Sequence, residues 1–159
     1  MRKLFITLTS CLLITSAVFA QDYQVGIGVR TPFSNGLTAK YFFRSDQAAE
    51  VLLASRWGGF YFAGLYELHS NPFGWNGFYA YYGAGAHYGF WSSNSNYPEK
   101  SSMNHNLIGV VGIAGIEYNF SNIPFNISLD YKPAFNPLNT PKFWIDEFGL
   151  SIRYVWGSR

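Results

Sequence analysis

The sequence predicts an all-β chain folded as a closed, antiparallel, up-and-down barrel of eight strands that crosses a membrane after an N-terminal signal peptide. Three observations carry that expectation. Apolar and polar residues alternate with period two in eight separate runs, the pattern of strands with two unlike faces. Every charged residue inside those runs falls on one face. The first twenty residues, MRKLFITLTSCLLITSAVFA, have the layout of an export leader.

In that leader Arg2 and Lys3 form a cationic start, Leu4 to Phe19 is mostly apolar, and Val18-Phe19-Ala20 is a small-x-small cleavage site before Gln21. Residues 1–20 are therefore read as the signal peptide and residues 21–159 as one barrel domain. Loss of Arg2 and Lys3 takes eleven basic residues to nine, against nine acidic ones, so the exported chain is neutral. Neutrality removes any electrostatic case for nucleic acid. The single cysteine, Cys11, lies in the leader, which leaves no disulfide and no lipid-anchored junction. Aromatic residues make up 20% of the chain and charged ones only 13%, a surface unsuited to water but suited to a sheet with one face in lipid. No segment after the leader has the run of about 18 apolar residues that a membrane helix needs.

The runs follow in order. Tyr23 to Arg30 sets Tyr23, Val25, Ile27 and Val29 against Gln24, Gly26, Gly28 and Arg30. Leu37 to Phe43 sets Leu37, Ala39, Tyr41 and Phe43 against Thr38, Lys40 and Phe42. In Glu50 to Trp57, Glu50 and Arg56 share a face with Leu52 and Ala54. In Phe60 to His69, Glu67 and His69 lie with Tyr61, Ala63 and Leu65. Gly77 to Trp91 alternates Phe78, Ala80, Tyr82 and Tyr88 with Tyr79, Tyr81, Gly83 and His87. Leu107 to Phe120 places Ile108, Ile116, Tyr118 and Phe120 opposite Val111, Ile113 and Glu117. Phe125 to Lys132 sets Phe125, Ile127, Leu129 and Tyr131 against Asn126, Ser128, Asp130 and Lys132. Glu147 to Trp156 sets Phe148, Leu150, Ile152, Tyr154 and Trp156 against Glu147, Ser151 and Arg153. Between them lie turn-forming stretches such as Pro32 to Gly36, Arg44-Ser45-Asp46, Gly58-Gly59 and Asn71-Pro72-Phe73-Gly74.

Ten charges occupy the less apolar face: Arg30, Lys40, Glu50, Arg56, Glu67, Glu117, Asp130, Lys132, Glu147 and Arg153. Five are basic and five acidic, so they are able to compensate one another. A soluble sandwich or lipocalin would turn them to water and crowd the bulky aromatics into its core, with glycines outside. The reverse suits the sequence better: apolar residues outward in lipid, charges and glycines inside a narrow barrel. Backbone groups in lipid need internal partners, which requires a closed sheet. With the N-terminus of the barrel periplasmic, Tyr23, Tyr41, Phe43, Phe78, Tyr118, Phe120, Phe125, Tyr154 and Trp156 gather at one rim as an interfacial girdle. The longest connection, Ser92 to Asn106, then faces outward, as does Asn136 to Lys142. Gly58-Gly59 is short for an outer loop, and Ser70 to Asn76 is long for a periplasmic turn.

On the segments YYGAGAHYGFW, GIEYNF and DYKPAFN and the closing strand GLSIRYVW, the chain resembles the small eight-stranded outer-membrane barrels of the OmpA/OmpX type. It is most similar to uncharacterised Bacteroidota outer-membrane barrel proteins. The resemblance implies a Gram-negative outer membrane, with its lipid and lipopolysaccharide as surroundings. It also implies an assembly machinery that reads a terminal aromatic, although Gly157-Ser158-Arg159 follow Trp156 here.

The ten inward charges predict an ion-pair plug: Arg30 with Glu147 across the seam, Arg153 with Glu117 or Asp130, and Lys40 with Glu50 or Glu67. Their functional alternative is a narrow, porin-like polar channel. His87 and His105 are the candidates for catalysis, because some small outer-membrane barrels modify lipid A with His, Ser and an acid, and Ser92, Ser93, Glu99 and Ser101 lie near His105 or the long loop. His87 has luminal parity, which is the wrong side for a lipid substrate. His69 reads as an ordinary polar residue near the periplasmic rim. Three scattered histidines make no metal site, and no cofactor is expected. Gly83-Ala84-Gly85-Ala86 and Gly26-Ile27-Gly28 read as inward glycines that make room for neighbours rather than as phosphate loops. The loop with Trp91, Tyr97 and Lys100 is the candidate surface contact for an unidentified extracellular ligand. The expected role is therefore structural or surface-binding and non-enzymatic, ahead of a lipid A-modifying enzyme, a channel and a soluble carrier.

Overall fold

Alternating chains of this kind pair where opposite residues share a face, and here the pairing closes. The computed structural model describes residues 23–92, 96, 105–137, 142–145 and 147–157. Residues 1–20, expected from the sequence to be a signal peptide, most of the Ser92 to Asn106 connection with Tyr97, Glu99, Lys100 and Ser101, and the His105 side chain lie outside the described residues. The strands are β1 (Val25–Pro32), β2 (Asn35–Arg44), β3 (Gln47–Arg56), β4 (Gly59–Ser70), β5 (Phe78–Trp91), β6 (His105–Asn119), β7 (Phe125–Tyr131), β8 (Ala134–Phe135), β9 (Phe143–Trp144) and β10 (Phe148–Trp156). Among the described residues there is no helix.

Each of β1 to β6 pairs antiparallel with the next, β7 pairs with β10, and β10 returns to β1, which closes an up-and-down barrel of eight staves. The two short strands continue staves seven and eight. β8 pairs with β6 beyond the end of β7, and β9 pairs with β8 ahead of β10. Stave seven breaks at Lys132-Pro133 because proline has no N–H to give the ladder. The Pro133 carbonyl still accepts from Gly112 N–H at 2.8 Å, and Lys132 N–H donates to the Glu147 carbonyl at 2.8 Å.

The connections alternate between two rims. Chain entry at Val25, exit at Trp156 and the turns after β2, β4 and β6 lie at the first rim; the turns after β1 and β3 and the ends of β5 and β8 lie at the second. The β3–β4 turn is a two-residue hairpin of Trp57 (φ 52°) and Gly58 (φ 76°), one residue earlier than the Gly58-Gly59 expected. Positive φ at both positions matches the twist of the flanking strands. Gly59 instead opens β4, where a Cβ would overlap the Trp91 indole.

The two faces separate almost completely. Phe148, Tyr118 and Ile152 are 50%, 40% and 46% exposed on the outside, whereas Arg153 and Glu117 are 0% and 1% exposed inside. All ten strand-associated charges are buried, together with Leu52, Leu65, Val111 and Ile113. Tyr41, Phe43, Tyr118, Phe120, Phe125, Tyr154 and Trp156 are exposed at or near the first rim. Tyr23 corrects the parity reading, which put it outside with them. The ladder begins only at Val25, so Tyr23 is free of the alternation and turns into the barrel mouth, edge-on to Phe42 at 5.1 Å.

Candidate functional site: the charged lumen

Inward parity on eight staves brings charges from many strands onto one axis, and glycine decides which of them meet. Gly28 lies in register between Thr38 on β2 and Arg153 on β10. With no side chain there, Arg153 reaches across β1 to Thr38 Oγ1 (3.1 Å) and Glu50 Oε1 (2.6 Å). Gly149 does the same for Arg30: a Cβ at Gly149 would overlap the guanidinium, which spans β10 to grip Asp130 through two bonds of 2.6 and 2.7 Å.

Nearer the first rim, Lys40 is the hub. Its Nζ lies 2.7 Å from Glu67 Oε2, 3.2 Å from Glu50 Oε2 and 3.4 Å from Glu117 Oε2, and 4.1 Å from the centre of the Tyr81 ring. Arg153 adds bonds to Ser128 Oγ (2.8 Å) and Asn126 Oδ1 (3.2 Å). Thr38 donates to Glu50 Oε1 at 2.5 Å, and the Tyr23 hydroxyl points to Glu117 Oε2 at 3.5 Å. His69 completes the group. It stacks on Tyr81 with its Nε2 3.0 Å from Glu67 Oε2 and its Nδ1 3.5 Å from Glu117 Oε1. The sequence reading of His69 as an ordinary rim residue is thereby corrected, since it is buried between two carboxylates.

Nearer the second rim, Glu147 is the hub. Oε1 lies 2.6 Å from Lys132 Nζ and accepts from Ser34 at 2.9 Å; Oε2 lies 2.7 Å from Arg56 Nη1. Arg30 Nη2 stands 4.0 Å from Glu147 across the seam, although its main partner is Asp130. Arg56 also lies 4.0 Å from the Trp57 ring centre and 5.2 Å from Trp144, and Lys132 lies 4.6 Å from Tyr61. Tyr81 joins the two groups, its ring under Lys40 and its hydroxyl donating to Asp130 at 3.0 Å. Above lies an aromatic layer. His87 stacks between Tyr61 (5.5 Å) and Trp144 (5.4 Å), and its Nε2 lies 2.8 Å from Asn136 Oδ1. Trp91 donates to the Arg56 carbonyl at 2.7 Å.

The structure thus gathers the ten charges into one connected column. Lys40 meets both partners expected for it, Arg30 meets Glu147 only at the limit, and Arg153 takes Glu50 rather than Glu117 or Asp130 as its ion-pair partner. The neutral members, Ser34, Thr38, Tyr61, Tyr81, Asn126 and Ser128, carried luminal parity in the sequence or sat in its turns; only their partners were missing. His87 is enclosed by rings and an amide. Chemically the column lets acidic and basic groups compensate one another within the barrel. Among the described residues, no cluster of three or more His, Cys, Asp or Glu has the arrangement of a metal site.

These features define a class: a small closed antiparallel barrel of eight staves with an apolar outer wall and acidic and basic side chains buried inside. No family model matches the sequence, and no curated protein matches it. Among solved structures the chain is similar to the N-terminal β-barrel domain of Pseudomonas aeruginosa OprF, in a crystal structure, with a TM-score of 0.62 over 85% of this chain and 97% of that one. At 16% identity the likeness is one of fold.

Proposed function

We propose that this protein is an integral barrel of a bacterial outer membrane, exported through its signal peptide, with a structural or surface-binding role and a lumen plugged by ion pairs. One observation carries the reading: ten buried charges pair with one another inside, while the wall outside is built from Val, Ile, Leu and aromatic side chains. Water would reward the opposite arrangement, and lipid rewards this one. Outer-membrane lipid and lipopolysaccharide are its surroundings, and the outer-membrane assembly machinery inserts it. The second-rim connections face outward and present a surface to an extracellular ligand. Long side chains bonded across the axis leave little room for a water path through eight strands.

The test is fractionation with gel migration. The protein is expected in the outer-membrane fraction, extractable only with detergent, and faster-migrating before boiling than after. Recovery from the periplasm without detergent overturns the reading. In planar bilayers the wild-type chain is expected to give no steady conductance; a stable unitary current overturns the plug. No catalytic step falls to His87 or His105 on this reading. A change in lipid A mass on overproduction, lost in His87→Ala or His105→Ala, would overturn that part.

A further inference from the structure

The β4–β5 turn is unlike the others at the first rim. From Ser70 to Gly77 it reads S-N-P-F-G-W-N-G, with no charge, where the β2–β3 turn carries Arg44 and Asp46. It exposes its two largest side chains, Phe73 at 62% and Trp75 at 63%. It is nevertheless ordered by its own bonds. Asn71 Nδ2 donates to the Trp75 carbonyl at 2.8 Å, the Phe78 N–H to the same carbonyl at 3.2 Å, and the Asn119 N–H to the Gly77 carbonyl at 2.8 Å. Gly74 (φ 66°) and Gly77 (φ 79°) supply the left-handed conformations that let it double back.

The rings do not scatter. Phe73 and Trp75 lie 5.1 Å apart, and each sits within 6 Å of the Phe78 ring, at 5.8 and 5.9 Å. Phe78 opens β5 and pairs in register with Tyr118, whose ring meets Phe120 at 5.1 Å. The turn is therefore folded along the outer wall, its rings continuous with the aromatic rim.

We infer that this turn is a membrane-interface foot: Phe73 and Trp75 insert at the headgroup–acyl boundary of the leaflet at the first rim. This rests on the membrane-spanning reading above. Two features select lipid over a protein partner. The triad continues a lipid-facing girdle rather than forming a separate patch, and the turn presents no charge with which to orient a partner. Tryptophan and phenylalanine at that depth match the amphipathic boundary, the indole N–H facing the headgroups. A fixed foot holds the barrel at one depth and tilt, because moving it by a few ångströms would pull two rings into water or bury polar Asn71 and Asn76. The length of this turn, excessive for a simple link, follows from that role.

The test uses the full exported chain refolded into vesicles of phosphatidylethanolamine and phosphatidylglycerol whose acyl chains carry bromines at stepped depths. Two tryptophans face outward at this rim, Trp75 and Trp156, so each serves as reference for the other. Trp75→Phe is expected to remove about half of the bromine-quenchable fluorescence, most strongly for bromines nearest the headgroups, and Trp156→Phe to remove the other half. If Trp156→Phe lowers quenching and Trp75→Phe does not, the foot is refuted and the spanning barrel stands. If neither lowers it, the spanning reading falls and takes the foot with it. If Trp75 resists bromine in pure lipid but is shielded from aqueous iodide in native membranes, a protein partner covers the turn and the lipid assignment is wrong. Both substitutions keep an aromatic ring, and the heat-dependent gel shift verifies that each variant has folded.

Discussion

In the half of the lumen nearer the first rim one cation, Lys40, serves three carboxylates, Glu50, Glu67 and Glu117; in the other half one carboxylate, Glu147, serves three cations, Arg30, Arg56 and Lys132. Arg153 supplements the first group and Asp130 the second, so each half departs from balance by one charge, in opposite senses, while the column as a whole is neutral. The two excesses are accommodated differently. The basic half lays Arg56 over Trp57 and Trp144, and Lys132 over Tyr61, so that ring faces supplement the carboxylates. Carboxylates have no comparable use for a ring face. The acidic half instead recruits O–H and N–H donors: Thr38 to Glu50, Tyr23 to Glu117, and His69 between Glu67 and Glu117. The contrast is one of proportion, since Lys40 also lies over the Tyr81 ring, and Ser34 and Tyr81 donate to Glu147 and Asp130 in the basic half.

That asymmetry sets the order of the mutational effects. Lys40→Met, close in size and without charge, leaves three buried carboxylates to Arg153 and the neutral donors; a loss of about 4 kcal/mol is expected, since breaking a buried pair typically costs 3–5 kcal/mol. Glu147→Gln leaves three cations facing Asp130 but retains an acceptor and the aromatic faces, and about 3 kcal/mol is expected. Urea titrations of both variants in lipid vesicles, followed by tryptophan fluorescence, measure the two losses. Equal losses, or a larger one for Glu147→Gln, would break the contrast between the halves. Gly149→Ala tests the spacing rather than the charges. Its methyl group enters the space of the Arg30 guanidinium, and about 2 kcal/mol is expected from the overlap and the disturbed grip on Asp130. Gly64→Ala, where a Cβ meets nothing within 4 Å, is its control and should leave the midpoint nearly unchanged.

Much of this was legible in the sequence because period two is a strong code. The inward set, from Arg30 to Arg153, follows from parity alone once the strands are placed, and so does the closed eight-stave barrel. The ion-pair partners were not legible. Arg153 and Glu50 lie on staves separated by two others, and their meeting depends on the barrel's stagger and on Gly28 leaving the path clear. Nothing local in sequence encodes stagger. Tyr23 was misplaced because parity was extended past the end of its strand. The Trp57-Gly58 turn was missed because tryptophan rarely takes positive φ, and it does so here where its ring meets Arg56 and Trp144. His69 had the correct parity, but its burial depends on Phe42 and Tyr81, which come from other strands.

The two luminal histidines offer the finest test of the comparison, because they are alike in stacking and differ in what their nitrogens face. His87 lies between Tyr61 and Trp144 with one polar contact, to the neutral Asn136 amide. His69 lies between Tyr81 and Phe42 with both nitrogens turned toward carboxylates. Phenylalanine preserves the ring in each place and deletes only the nitrogens. His69→Phe removes the hydrogen bond to the buried Glu67 carboxylate and the polar edge beside Glu117, an expected loss of about 2 kcal/mol, within the usual cost of an unmade hydrogen bond to a charged group. His87→Phe removes one neutral hydrogen bond, an expected loss of about 1 kcal/mol. The sharper discrimination lies in the background of Lys40→Met. There the carboxylates around His69 have lost their hub, so adding His69→Phe should cost more than it does alone, whereas adding His87→Phe should cost the same as before, because its site shares no partner with Lys40. A double-mutant cycle with equal coupling for both histidines would mean that the two halves act as one electrostatic unit, and that the division at Tyr81 describes geometry but not energy.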